Sequence, residues 1–148
     1  MATTRIPRDF KEFLKLLDAH SARYLLIGGY AVNAFGYVRN TVDMDVWIAV
    51  DADNQQRVLQ AIRDFAFPAA PDDLLIADDA MVRMELPPLR IEVLKKISGV
   101  EFEDCWLRRV IVDDDELKIP TISLGDLKRN NTGAIQPSIS RTLSYMAK

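Results

Sequence analysis

The stretch LLIGGYAVNAFGYVRNTVDMDVWIAV, residues 25–50, decides the predicted fold. It begins with an apolar run that ends in two glycines, Gly28 and Gly29, and a second apolar run begins beyond a spacer of thirteen residues. The second run contains two acids, Asp43 and Asp45, although its other residues are typical of a buried strand. Burial of unpaired carboxylates is costly, so their presence in this run requires an explanation.

Side chains alternate between the two faces of a strand, so TVDMDVWIAV divides into two sets. One set is entirely apolar and consists of Val42, Met44, Val46, Ile48 and Val50. The other set begins with Asp43 and Asp45, which therefore stand side by side. Their mutual repulsion is relieved if a divalent cation bridges them. The alternative is an exposed strand end that happens to hold two acids, and an isolated Asp-x-Asp favours that alternative.

Two further features favour a cation-binding role for Asp43 and Asp45 over an exposed strand end. RIEVL places Glu92 between Ile91 and Val93 on another predicted strand, so a third acid interrupts a buried pattern. Three carboxylates suit a two-metal site for phosphoryl or nucleotidyl transfer. LIGGYA is a strand–turn–helix junction, where glycine lets the backbone approach a ligand and the helix N-terminus offers N–H groups to phosphate. For the glycines alone, a tight turn without a ligand is the favoured alternative.

The composition narrows the class of protein. A formal net charge of −3 argues against a general nucleic-acid binder, which is normally basic. The single cysteine, Cys105, and the single histidine, His20, exclude a disulfide framework and leave little for a zinc site. MATTRIPRDF lacks the apolar core of a signal peptide, and no apolar run approaches the roughly 20 residues of a membrane span. We therefore expect one cytoplasmic domain over residues 1–148, with no membrane partner.

The periodicity of the chain predicts an α/β (α+β) fold, in which a mixed sheet of about four to five strands is flanked by helices. Helices are predicted over residues 8–20, in YAVNAF, in DNQQRVLQAIRDFAF, after the capping-box-like Ser123 and Asp126, and over residues 138–147. A short helix or turn is expected in VEFEDCWLRRV. Strands are predicted in RYLLIGG, over residues 41–50, on both sides of Pro87-Pro88, and in DELKIPTIS.

Three segments together resemble the signature of the nucleotidyltransferase superfamily, the DNA polymerase beta-like fold. They are Ile27-Gly28-Gly29, Asp43-Met44-Asp45-Val46 and Ile91-Glu92-Val93. More narrowly, residues 20–130 are similar to small stand-alone bacterial nucleotidyltransferase domains, including abortive-infection and toxin–antitoxin types. The positions that recur in that group are here Gly36, Arg39, Thr41, Asp43 and Asp45. The resemblance implies the nucleotidyltransferase fold.

The resemblance also implies an activity: transfer of a nucleoside monophosphate from a nucleoside triphosphate to a hydroxyl acceptor, with Mg²⁺ as cofactor. The Gly28-Gly29 turn would cradle the β- and γ-phosphates, and Thr41 would contribute to nucleotide binding. Arg39 would either reach a phosphate or form a salt bridge with Asp43.

The same resemblance assigns the acids. Asp43, Asp45 and Glu92 would be the catalytic residues and the ligands of a two-metal site. Glu92 would act on the acceptor hydroxyl as a metal ligand or as a base. The acceptor stays open, as an RNA end, a protein side chain or a small molecule. Because 148 residues leave little room for a substrate domain, we expect a protein partner or a homodimer to complete the site.

The C-terminal stretch from Asn131 to Lys148 departs from the family. The family's Lys-Asp and Asp positions fall on neutral residues in NNTGAIQPSISRTLSYM. The cations that could substitute, or that could simply be exposed charges, are Lys128, Arg129 and Arg141. The alternative function is therefore a catalytically degenerate module that binds and regulates a partner protein.

Three residues near the acids have ordinary explanations. The pattern favours a place in the core for Trp47 over a place lining the pocket. It favours a solvated strand end for Lys95 and Lys96 over a contact with an anionic substrate.

Overall fold

The computed structural model describes residues 6–36, 43–114, 117–131 and 139–144. These residues form five helices and a seven-stranded mixed sheet. In chain order the elements are α1 (Arg8–Ala19), β1 (Tyr24–Ile27), α2 (Gly28–Ala34), β2 (Asp43–Ile48), α3 (Ala52–Phe65), β3 (Ala80–Leu86), β4 (Leu89–Leu94), α4 (Phe102–Leu107), β5 (Val110–Asp114), β6 (Leu117–Thr121), α5 (Leu124–Asn131) and β7 (Ile139–Ser144). The expected class, a mixed sheet flanked by helices, is confirmed.

The strands lie in the order β5-β6-β1-β2-β4-β3-β7. In the centre of the sheet, β1 pairs antiparallel with β2, and β2 pairs parallel with β4. The two strands predicted on either side of Pro87-Pro88 are present as β3 and β4, and they pair antiparallel. Because β2 and β4 run in the same direction, their first residues meet at the same end of the sheet, where β1 ends.

The expected number of four to five strands is too low, because β5 and β7 were not predicted as strands. The helix predicted in VEFEDCWLRRV is present as α4, but its last residue, Val110, begins β5. The helix predicted over residues 138–147 is wrong where the structure describes it, since Ile139–Ser144 is β7. All six residues of β7 are in register with β3, and this pairing decides the structure of a segment with weak local preference.

Apolar side chains cover both faces of the sheet. On one face, which we call the apolar face, Met44 and Val46 of β2 and Ile91 and Val93 of β4 pack against α1 and α3. On the opposite face, the mixed face, a smaller cluster contains Ile27, Trp47 and Leu94 together with residues of α4 and α5. The alternation predicted for β2 is therefore confirmed from Met44 to Ile48.

Helix caps follow the sequence signals. The side chain of Asp51 accepts a hydrogen bond from the Asn54 N–H at the start of α3. Ser123 accepts a hydrogen bond from the Asp126 N–H at 3.2 Å, so the predicted start of α5 is confirmed. Within the described ranges, none of the helices has the length and apolar character that crossing a membrane requires.

Candidate functional site

The register of the central strands brings the three predicted acids to one place. Asp45 lies opposite Glu92, and Asp43 lies opposite Arg90, in the parallel pairing of β2 and β4. On the other side of β2, Asp45 lies opposite Ile27, the last residue of β1. Residues paired in this way project from the same face of the sheet. The mixed face therefore carries all three carboxylates at the end where β1 stops and β2 and β4 begin.

Gly28 forms the junction between β1 and α2, and it lies against one of these acids. Its φ of +68° is in the left-handed region that glycine adopts most readily. A Cβ built on Gly28 would overlap Oδ2 of Asp45 and would stand 3.1 Å from its Cγ. Gly29 follows in the first turn of α2. The predicted glycine turn is thus adjacent to the acids, and Gly28 makes room for a carboxylate of the chain itself.

The surroundings of Asp45 change its pKa. Burial, followed by the nearby charges of Glu92 and Asp43, raises the pKa of Asp45 to about 7. Tyr30 of α2 is also affected, since burial and then the charge of Asp43 raise its pKa. At neutral pH, Asp45 therefore retains a proton for part of the time, and a bound cation would favour its ionised form.

Two arginines, which the sequence analysis missed, face the acids. Arg90 donates from Nε to Oδ1 of Asp43 at 2.8 Å and from Nη2 to Oδ2 at 3.3 Å. Arg83 of β3 lies opposite Glu92 in the register, with its Nη2 3.6 Å from Oε1. The signal was present, because Arg90 precedes Glu92 by two residues and so shares its face. Arg83 required knowledge of the β3–β4 register.

Asp43, Asp45 and Glu92 are chemically suitable ligands for a hard divalent cation, but their side chains are not arranged around one position. Carboxylate oxygens are the ligands that Mg²⁺ takes in proteins, and the absence of a Cβ on Gly28 leaves room for Oδ2 of Asp45. In the part of the chain that the structure describes, no three Asp, Glu, His or Cys side chains are arranged to hold a metal ion. Two of the three acids are paired with arginine, Asp43 with Arg90 and Glu92 with Arg83. Metal binding would require Asp43 to exchange its arginine for the cation.

Several residues expected at the site lie elsewhere or cannot be described. Arg39 and Thr41, the other predicted nucleotide-binding residues, lie outside the described residues, as do residues 132–138 and 145–148 of the altered C-terminus. Arg129 donates to Asp126 at 2.7 Å. Arg141 pairs with Asp73 at 3.0 Å, and its register partner is Val82 of the apolar face. Arg141 is therefore on the side of the sheet away from the acids.

The other end of the mixed face is a packed core. Trp47 is 1% exposed, as expected, and its Nε1 donates to the carbonyl of Lys95 at 3.2 Å. The expectation for Lys95 is wrong, because this residue is 3% exposed and is not a solvated strand end. Its Nζ donates to the carbonyls of Leu75 and Ile76 at 2.8 and 3.3 Å. Burial lowers the pKa of Lys95, and these carbonyls satisfy part of its hydrogen-bonding capacity.

Comparison with known proteins gives one informative result. No protein-family model matches the chain, and no curated protein matches it. The structure is similar to the crystal structure of a "putative nucleotidyltransferase" from Thermotoga maritima, with a TM-score of 0.61 over 87% of this chain and 86% of that chain. The two sequences are 10% identical, so the similarity concerns the fold alone. The chain therefore shares the fold of this protein, which agrees with the fold that its motifs predicted.

Proposed function

We propose that the chain is a Mg²⁺-dependent nucleotidyltransferase, which transfers a nucleoside monophosphate from a nucleoside triphosphate to a hydroxyl acceptor. One observation carries the proposal: Asp43, Asp45 and Glu92 share one end of the mixed face, beside the Gly28 turn. The shared fold with the Thermotoga maritima protein supports it.

The three acids are the residues that would hold the cation. Asp43 and Asp45 project together from β2, and Glu92 stands opposite Asp45 on β4. In this proposal they would hold two Mg²⁺ ions, which would supply positive charge to the triphosphate and to the departing pyrophosphate. Burial and the other two acids raise the pKa of Asp45, and a cation bound there would favour its ionised form.

The residues around the acids would bind the nucleotide. The Gly28-Gly29 turn lies against Asp45, so a phosphate approaching that backbone meets the acids directly. Arg90 becomes available to a phosphate once Asp43 has exchanged it for the cation. The Nε of Arg83 is buried and has no hydrogen-bond partner among the described residues, so it retains a donor for an anionic ligand. Arg39 and Thr41 are the other residues proposed to bind the nucleotide.

The chemistry is displacement at the α-phosphorus. The acceptor oxygen forms a bond to that phosphorus, the bond to the bridging oxygen of the β-phosphate breaks, and pyrophosphate leaves. Glu92, whose side chain is 16% exposed, accepts the proton of the acceptor hydroxyl. Most of the rate enhancement comes from positioning and from neutralising charge, as in phosphoryl transfer generally.

The proposed acceptor is a hydroxyl of an RNA end, a protein side chain or a small molecule. A cytoplasmic toxin–antitoxin or defence system is the setting proposed from the resemblance to small bacterial nucleotidyltransferases. These parts of the proposal rest on the sequence motifs, and the transfer chemistry does not depend on them.

A transfer assay tests the proposed activity. Purified protein and Mg²⁺ are incubated with each α-labelled nucleoside triphosphate, and with total RNA, a host lysate and hydroxylated small molecules as acceptors. We expect label to move to one acceptor class. Asp43→Asn and Asp45→Asn should each reduce transfer by about a hundredfold or more, because each removes charge that the site needs.

The matched control is Met44→Leu, which lies between the two acids but on the apolar face. It should keep nearly full activity, because it preserves volume and does not touch the mixed face. Transfer that continues undiminished in both Asp variants would contradict the proposal.

A second candidate function is a catalytically degenerate module that binds a partner protein. The observation that favours it is the forked pairing of Arg90 with Asp43, at 2.8 and 3.3 Å, which supplies an internal positive charge where the cation is proposed. In this function the guanidinium replaces the metal permanently.

Arg90→Gln distinguishes the two functions. If the chain is an enzyme, the wild type binds Mg²⁺ with nucleotide and the variant loses nucleotide affinity, because a phosphate contact is removed. If the chain is a degenerate module, the wild type binds neither and the variant gains cation binding. Calorimetric titration of both proteins with Mg²⁺, alone and with a nucleoside triphosphate, separates these outcomes.

A further inference from the structure

β5 is the outermost strand on one side of the sheet, and in the described part of the chain only β6 pairs with it. An edge strand presents unpaired N–H and C=O groups along its outer side. The apolar residues near this edge are unusually exposed, with Leu107 at 81%, Val110 at 38% and Ile111 at 49%. An open edge with exposed apolar side chains is a site at which another strand can be added.

The charges along this edge have opposite signs at its two ends. Arg109 precedes the strand, Asp113 lies near its end, and Val110, Ile111 and Val112 lie between them. Arg109, Ile111 and Asp113 are all exposed, whereas Val112 is 1% exposed. We call residues 109–113 the β5 edge. Along the chain, its exposed side chains are positive, apolar and negative. Two such rows that run in opposite directions therefore place each positive side chain opposite a negative one.

An antiparallel pair of β5 edges centred on Ile111 matches these features. Ile111 then lies opposite Ile111 of the second copy, Val110 lies opposite Val112, and Arg109 lies opposite Asp113. Opposed residues share a face, so the exposed row gains one apolar pair and two pairs of opposite charge. β-Branched side chains in the middle favour such a ladder.

Parallel pairing of the same edges is disfavoured. In register, it would place Arg109 against Arg109 and Asp113 against Asp113, and like charges directly opposite each other are destabilising. The charge order therefore selects the antiparallel arrangement. That arrangement has a two-fold axis and is closed, so it ends at a dimer and does not continue into a fibre.

Internal contacts at the edge are compatible with this pairing. Arg109 stacks over the Trp106 ring at 4.0 Å and donates from Nη1 to the Trp106 carbonyl at 2.8 Å. Asp113 accepts from Lys118 through one oxygen, Oδ1, at 2.7 Å. A guanidinium has five donors and a carboxylate has two oxygens, so both groups retain capacity for a partner.

We propose that two copies of this chain associate through antiparallel pairing of their β5 edges, which joins their sheets into one continuous sheet. The partner is a second copy because the edge is complementary to itself in charge order. The β5 edge contains none of the three acids, so the dimer and the proposed enzymatic function can be tested independently.

Charge reversal tests the pairing. The mass in solution is measured by light scattering and sedimentation over a concentration series, with the wild type expected at twice 16.8 kDa. R109D and D113R should each weaken the dimer by about tenfold or more, because each turns two attractive pairs into repulsive ones. Ile111→Lys should weaken it similarly, because it places two ammonium groups opposite each other.

The decisive sample is an equimolar mixture of R109D and D113R. Each variant repels its own copies, because one has acids at both ends of the edge and the other has arginines at both ends. In a mixed dimer every acid of the first variant faces an arginine of the second, so the mixed dimer should form. Recovery of the dimer also shows that both variants are folded.

Ile76→Lys is the matched control, because Ile76 is 64% exposed and lies outside the β5 edge, so this change should leave the dimer intact. A monomeric wild type, a dimer insensitive to all three edge changes, or failure of the mixture to associate would overturn the proposal.

Discussion

Alternate residues of β2 and β4 form two faces that differ in burial and in charge. On the apolar face, Met44, Val46 and Ile91 are each 0% exposed. On the mixed face, the side chains of Asp43 and Glu92 are 31% and 16% exposed. Neighbouring residues of one strand belong to opposite faces, so the two environments are separated only by the thickness of one sheet.

This difference shows how two short strands contribute to stability through one face and to the proposed chemistry through the other. Burial on the apolar face favours folding, whereas three nearby carboxylates on the mixed face oppose it. The raised pKa of Asp45, caused first by burial, is the physical sign of that opposition. Truncation of a buried apolar side chain on the apolar face and neutralisation of an acid on the mixed face should therefore have opposite effects on stability, and the predictions below follow from this contrast.

The largest expected effect is on the apolar face. Met44→Ala should lower the free energy of unfolding by about 3 kcal/mol, because it leaves a cavity in a fully buried layer. Urea denaturation at pH 5 and pH 8 measures it, and the loss should be the same at both pH values. Met44→Leu, the volume-conserving control, should lose less than about 1.5 kcal/mol. A loss of stability for Met44→Ala that depended strongly on pH would contradict the view that the two faces contribute independently.

The next effect belongs to the mixed face and depends on pH. In the unfolded chain Asp45 loses its proton near the ordinary pKa of 3.8, whereas in the folded chain burial and the other acids raise its pKa to about 7. Between these values the folded state holds more protons, so stability falls as pH rises. From pH 5 to pH 8, in the presence of a chelator, this group should lower the free energy of unfolding by about 2 kcal/mol.

Asp45→Asn is the corresponding test, because the amide does not ionise. The variant should lack that fall and should be more stable than the wild type at pH 8. Urea denaturation of both proteins at the two pH values gives the difference. If the stability of both proteins depended on pH to the same extent, ionisation of Asp45 would not be the cause of the fall.

The smallest effect concerns the turn beside Asp45. Gly28→Ala introduces both a strained φ and a contact with the Asp45 carboxylate, whereas Gly36→Ala, at φ +93°, meets no atom within 4 Å. Gly28→Ala should therefore destabilise the protein by about 1 kcal/mol more than Gly36→Ala. Thermal unfolding compares them. In an Asp45→Ala background most of this difference should disappear, because Oδ2 and Cγ are removed and only the Cβ of residue 45, 3.2 Å from the new methyl group, remains. A difference that persisted undiminished there would locate the strain elsewhere.

The strand alternation and the acid positions could be predicted because they are local. In β2 the period-two pattern around Met44 decides which side chains share a face, and no knowledge of the fold is needed. The gathering of Glu92 with Asp45 needed one further step, the parallel pairing of two strands. The resemblance to nucleotidyltransferases supplied that step.

The remainder depends on contacts between distant segments. β7 forms because β3 offers a full ladder, and its own sequence does not contain that information. Arg83 faces Glu92 only through the β3–β4 register. Lys95 reads as a solvated strand end, yet the carbonyls of Leu75 and Ile76 hold its ammonium group in the interior. Each of these requires knowing which segment lies beside which.

The most direct test of the account is nucleotide binding with and without Mg²⁺, because it needs no knowledge of the acceptor. Calorimetry compares the wild type, the Asp43→Asn/Asp45→Asn double variant and Met44→Leu. The account predicts that wild type and Met44→Leu bind a nucleoside triphosphate with Mg²⁺ and that the double variant does not. Absence of Mg²⁺-dependent binding in the wild type, or its survival in the double variant, would contradict the assignment of the acids.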